Sequence, residues 1–158
     1  MTAFDQAFAL LKTPLDWDSI EEVKPKSGAT VTTADFLHPD PDIDEKLKLL
    51  IYGGSQLQVH RPEDVGDDPY DTSHDEVAEA TYDQPVVDGI QRPLRTEMIR
   101  VDLEHRRKGL ATAMHNLMAH AAAKHGQKLH PSHDQTDAAK GVWAKQGSPD
   151  TWPVRGSN

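Results

Sequence analysis

The chain has 158 residues and a mass of 17.5 kDa, room for one domain with its own core. It contains no cysteine, which excludes a disulfide framework, a thiolate metal site, an iron–sulfur cluster and a cysteine nucleophile. The net charge is −9, and an acidic total argues against general nucleic-acid binding, because neutralising phosphates takes an excess of Lys and Arg.

The charge is unevenly spread. Residues 1–91 hold 6 basic and 20 acidic side chains, and residues 92–158 hold 11 and 6. An anionic ligand is therefore expected on the C-terminal part, unless the imbalance is simply that of one acidic loop. Mean hydropathy is −0.68 and no apolar run reaches membrane-spanning length. Asp5 precedes the first apolar stretch and no basic cluster does, so no secretory leader is expected and a cytoplasmic location is.

In chain order, Phe4, Ala7, Phe8 and Leu11 share one face of a short amphipathic helix over 3–12, which Thr13-Pro14 ends. Residues 14–28 read as loop, with Lys24-Pro25-Lys26-Ser27-Gly28 as the clearest breaker. The β-branched run 29–36 predicts a strand. Leu47–Tyr52, Gly53-Gly54 and Gln56–His60 predict a β-hairpin. Residues 61–76 form an acidic, turn-rich stretch. Its Asp64, Asp67, Asp68 and Asp71 miss the ligand register of a calcium loop, so a solvated loop is expected. One more strand is expected within 77–90, with Asp88-Gly89 as a turn.

From Leu94 the pattern sharpens. Residues 95–102 alternate, with Glu97, Ile99 and Val101 on one face and Met98 and Arg100 on the other, which predicts a strand. Lys108–Lys124 predicts a helix whose stripe of Leu110, Ala113, Met114, Leu117, Met118 and Ala121 faces a core. Residues 127–131 predict a short strand, Thr136–Gln146 a second helix, and 150–158 a polar tail without pattern.

The junction between the strand and the first of these helices carries the chemistry. There a strand runs into a basic turn, a glycine and small residues, and a helix opens. A helix N-terminus presents unpaired N–H groups and the positive end of a dipole. Gly109 and Ala111 do not hold an anion away from those groups, and Arg106, Arg107 and Lys108 add positive field. Neither G-x-x-x-x-G-K-S/T nor G-x-G-x-x-G occurs, so neither of those two nucleotide-phosphate motifs is present.

The turn Arg106-Arg107-Lys108-Gly109-Leu110-Ala111 resembles motif A of the GNAT acetyltransferase superfamily, Q/R-x-x-G-x-G/A. The likeness runs backward into Val101-Asp102-Leu103-Glu104-His105-Arg106, with Leu103 where the family usually has proline. It runs forward to Ala139…Trp143…Gly147, where Trp143 replaces the usual tyrosine. It covers residues 94–147, and the wording around Pro131–Gly147 is similar to short GNAT-like proteins of actinobacterial phages.

The resemblance implies an α+β domain with a mixed, mostly antiparallel sheet flanked by helices, trimmed after Gly147. It implies acetyl-CoA as cosubstrate, its pyrophosphate on the backbone from Arg107 through Gly109, Leu110 and Ala111 to Thr112, and its pantetheine along Ile99, Arg100 and Val101. The acceptor is a primary amine, and the acidic first half points to a cationic one. For a phage-encoded protein the location is the host cytoplasm. Direct attack by an amine needs a base, for which Glu97 is the candidate. Trp143 is no acid, which leaves Tyr52, Tyr70 or Tyr82, solvent, or a non-catalytic CoA-binding or protein-interaction module. Other constellations are weaker. His115, His120 and His125 rotate around their helix and do not converge on a metal, so no metal is expected. Ser132-His133-Asp134 lacks a nucleophile elbow.

Overall fold

The computed structural model describes residues 15–25, 28–38, 40, 42–53, 55–66, 76–84, 86–106, 108–132, 135–145 and 151–154. Outside them fall the helix expected over 3–12, Gly54, Tyr70 with most of the acidic stretch, Arg107, His133, Asp134 and Gly147.

The elements are β1 (Leu15–Val23), β2 (Val31–Leu37), β3 (Lys46–Tyr52), β4 (Gln56–His60), β5 (Ala78–Asp83), β6 (Val86–Val87), β7 (Ile90–Gln91), β8 (Leu94–Val101), α1 (Leu110–Ala123), β9 (Leu129–His130) and α2 (Asp137–Ala144). Seven strands form one sheet in the order β1-β2-β3-β4-β5-β8-β9. Every neighbouring pair is antiparallel except β8 and β9, which are parallel. A parallel pair needs a crossover of a dozen or more residues, and α1 supplies it. This is the mixed, mostly antiparallel α+β architecture expected from the sequence.

The β3–β4 hairpin forms where expected, with Tyr52 opposite Gln56 and Gly53 at φ +61° in the turn. The strand expected in 77–90 is β5. Asp88 and Gly89, at φ 54° and 76°, close the small β6–β7 hairpin; two successive positive φ values are what such a two-residue turn needs.

Two expectations fail. Within the loop expected over 14–28, Leu15–Val23 instead form β1 at the sheet edge. Its side chains Leu15, Trp17 and Ile20 pack on the core, and the three-residue step from Trp17 to Ile20 breaks the strand alternation. The cause is an irregularity between Asp16 and Glu21 that puts extra residues into β1 against β2. The Ser19 hydroxyl sits there, donating to the Asp16 carbonyl at 2.6 Å and accepting from the Asp35 N–H at 2.7 Å.

Nor is the C-terminal segment without structure. Trp152 is 2% exposed within the core. Its backbone N–H donates to the Leu129 carbonyl at 2.9 Å, and its Nε1–H to Asn116 Oδ1 at 2.6 Å.

α1 lies across β1, β2, β8 and β9. The expected stripe is buried except for Ala121, which is half-buried against the core; His115, Asn116, Ala119 and Ala122 are buried too, so the middle of the helix is enclosed nearly all round. The Thr136 hydroxyl caps α2 by accepting from the Ala139 N–H at 3.1 Å. The Trp152 anchor sets a first expected outcome. Trp152→Ala should cost about 3–5 kcal/mol. Trp152→Phe, which keeps a ring but strands the Asn116 carbonyl, should cost about 1–3 kcal/mol. Urea unfolding of the two variants measures both, and the order of the two losses is the check.

Candidate functional site

β8 is paired on both sides only at its start. Leu94 and Arg95 sit opposite Leu129 and His130 of β9, and there the parallel ladder stops. From Thr96 to Val101 the β9 side of the strand has no strand partner among the described residues.

On its other side β8 carries a β-bulge. Met98 lies opposite Thr81 and Thr96 opposite Tyr82, so Glu97 is the extra residue. This corrects the expected alternation. Ile99 and Val101 pack on the core, and Glu97 does not share their face but is exposed. An alternation read without the bulge puts Glu97 on the inner face by one residue of slip.

Where β8 and β9 part, a cleft of about 210 Å³ opens. Thr96, Glu97, Met98 and Ile99 form one wall, and Thr136, Ala139 and Trp143 at α2 form another. Ser132 and Gln135 close the loop side, and His115 of α1 completes the lining. Trp143, 4% exposed, meets Trp152 edge-to-face at 5.0 Å and lies 5.5 Å from the His115 ring. Its indole is a packing surface.

His115 is the residue the sequence left as one of three helix histidines. It is 2% exposed, and its Nδ1 is 3.3 Å from the Tyr82 hydroxyl. Burial pushes the imidazole down to about 3 and holds the Tyr82 phenol well above its ordinary range. Both are neutral across the physiological range. The available signal was the pair His115-Asn116, polar in the middle of an otherwise apolar helical turn.

Beyond β8 the chain makes a single 3-10 turn over Leu103–His105. Leu103 is 79% exposed. Arg106 folds back to donate from Nε to the Val101 carbonyl at 2.9 Å, which ties the turn to the strand end. Gly109 follows at φ +81°, a conformation that glycine tolerates, and α1 starts at Leu110 rather than at Lys108. Gly109 provides no side-chain cap for this helix start, whose first-turn amides have no intrahelical partner.

The basic side chains contribute less field than expected. Lys108 Nζ is held by both Glu45 oxygens at 3.0 and 2.9 Å. Burial raises the Glu45 carboxyl, but the hydrogen bond and charge of Lys108 outweigh it, with His105 and His38 adding, and the net shift is downward. Arg100 is taken by Glu79 and Glu76, each at 3.4 Å, and by Asp102. Arg61–Glu104 and Lys124–Glu22 likewise join the two charge-biased parts of the chain. Part of the charge split is therefore internal complementarity. A ligand along Ile99, Arg100 and Val101 would meet backbone, not the Arg100 guanidinium.

A search of family models, curated proteins and solved structures finds no match to this chain.

The buried imidazole makes stability depend on pH. Its folded value lies below its unfolded 6.5, so the stabilisation is complete above 6.5 and is lost as pH falls from there toward 3. Burial lowers His60 too, against the opposing charges of Glu76 and Asp64, so it acts in the same direction. Between pH 6.5 and 5 the wild type should lose about 2 kcal/mol more than His115→Gln, at about 1.4 kcal/mol per unit for one proton. Chemical denaturation of both proteins across that range is the measurement.

Proposed function

We propose that this protein is an acetyl-CoA-dependent N-acetyltransferase that passes the acetyl group directly to a primary amine. The observation that carries the reading is the parting of β8 from β9 after Arg95. It joins an open strand edge, a cleft and the uncapped start of α1 in one stretch of chain. The residue pattern of motif A lies on that stretch.

The residues fit the cosubstrate. The backbone N–H groups of Leu110, Ala111 and Thr112 stand at the helix start, and Gly109 puts no side chain in front of them. The edge from Thr96 to Arg100, which has no strand partner among the described residues, offers backbone partners to an extended arm with amide groups, while the Val101 carbonyl is taken by Arg106. When bound, acetyl-CoA supplies an acetyl group activated as a thioester.

The chain's own work is to orient the amine and take its proton. Glu97 lines the cleft and is exposed to it, placed by the bulge where it can receive a proton directly or through water. A carboxylate there also favours a cationic acceptor, such as a polyamine, an aminoglycoside or a basic protein tail.

A second reading is favoured by one observation. Among the described residues no tyrosine lines the cleft, since Tyr82 points its hydroxyl at His115 within the core and Trp143 holds the helix position. A non-catalytic CoA-binding or protein-interaction module would have this appearance. Thiol release from acetyl-CoA, followed over a panel of amines, separates the two readings. Release that depends on the amine supports transfer, and binding without release supports the module.

Two variants test the assignment. Gly109→Asp should weaken CoA binding at least about tenfold in calorimetry, since it adds a charge like that of the pyrophosphate at the helix start. Glu97→Gln should lower kcat at neutral pH by roughly two to four orders of magnitude with CoA affinity nearly unchanged.

A further inference from the structure

We infer that the inner wall of the β8–α2 cleft is a built acceptor site for a carbonyl oxygen, with His115 Nε2–H and the Thr96 hydroxyl as its donors and Tyr82 as the residue that positions His115. This rests on the acetyl-transfer reading, in which the oxygen belongs to the thioester.

Three observations carry it. His115 lines the cleft although it is 2% exposed. Its Nδ1 is engaged by the Tyr82 hydroxyl, which leaves Nε2 as the polar atom an occupant can reach. Thr96, 5% exposed, lines the same cleft, and its Oγ1 is buried with no hydrogen-bond partner. An unpaired buried hydroxyl costs about 1–3 kcal/mol, which a ligand acceptor offsets.

The direction of the Tyr82–His115 bond decides the chemistry. Tyr82 is enclosed, and a phenol that accepted from Nδ1–H would leave its own proton unpaired in the core. Donating to Nδ1 pairs that proton and puts the imidazole proton on Nε2. His115 is then a neutral donor. It is too weak a base for that role, because burial holds its pKa down to about 3 and its Nδ1 lone pair is already engaged by the Tyr82 hydroxyl.

The step balances without proton transfer at His115. The amine nitrogen bonds to the acetyl carbon, and the carbonyl π pair moves onto the oxygen, where the two donors meet the developing charge. That pair returns as the carbon–sulfur bond breaks and sulfur leaves with its bonding electrons. The amine proton goes to Glu97 or water.

The test uses the wild-type protein with 15N-labelled histidine. The Nε2–H resonance of His115 should move downfield on addition of acetyl-CoA relative to CoA, which lacks the carbonyl. Identical His115 spectra in the two bound states would overturn the carbonyl site while leaving CoA binding intact. A titration in which neither compound binds would overturn the transferase reading and this assignment with it.

Kinetics give the second arm. His115→Phe should lower kcat roughly 10²–10³-fold with KM for acetyl-CoA little changed, the loss expected for one donor to a developing oxyanion. His115→Gln, which can place an N–H near the Nε2 position, should recover part of that loss. Tyr82→Phe should lower kcat less than His115→Phe. Wild-type kcat in His115→Phe would overturn the proposal, and so would equal losses in the Gln and Phe variants.

Discussion

The hydrogen bond between the Tyr82 hydroxyl and His115 Nδ1 joins the sheet to α1 at the point where the other elements converge. Trp143 from α2 and Trp152 from the C-terminal segment pack on the same imidazole, at 5.5 and 4.7 Å between ring centroids. Such a cluster excludes water, and a dry surround penalises charge, so His115 is held neutral. The polar atoms inside it need partners at defined positions, and Asn116 answers the Trp152 indole one residue further along α1. The cleft has its shape because these rings fill the space behind it.

β8 depends on the same arrangement. It loses β9 as a partner after two residues, and β9 is held on through the Leu129 carbonyl by the Trp152 amide. The bulge at Glu97 bends β8 at the level of the parting. One irregularity thus does two things: it turns a carboxylate out of the sheet's alternation, and it leaves Thr96 and Ile99 facing inward on either side of it.

Charge is arranged across the fold rather than along the chain. Cations of the C-terminal part are paired with carboxylates of the N-terminal part at Lys108–Glu45, Arg100–Glu79 and Lys124–Glu22. The more exposed of these pairs add little stability. What they change is the field at the start of α1, where the Lys108 charge is already met by Glu45.

The sequence by itself determined the elements whose signals are local. The β3–β4 hairpin, the Asp88-Gly89 turn, β8, α1 and its buried stripe, and the glycine that starts α1 all follow from period, turn chemistry and the absence of a side chain. Only the tertiary structure decided the rest. β1 was hidden because its extra residues break the period that marks a strand. Glu97 was assigned to the wrong face because the bulge puts the positions before it out of phase with those after it, and pairing with Thr81 and Tyr82 is not a local property. Trp152 looked like part of a polar tail because the atoms that receive it, on Leu129 and Asn116, lie far from it in the chain. His115 looked like one of three histidines rotating around a helix because neither its burial nor its tyrosine partner is encoded nearby. Burial and long-range pairing are properties of the assembled chain, and they set the protonation and direction of the groups that line the cleft.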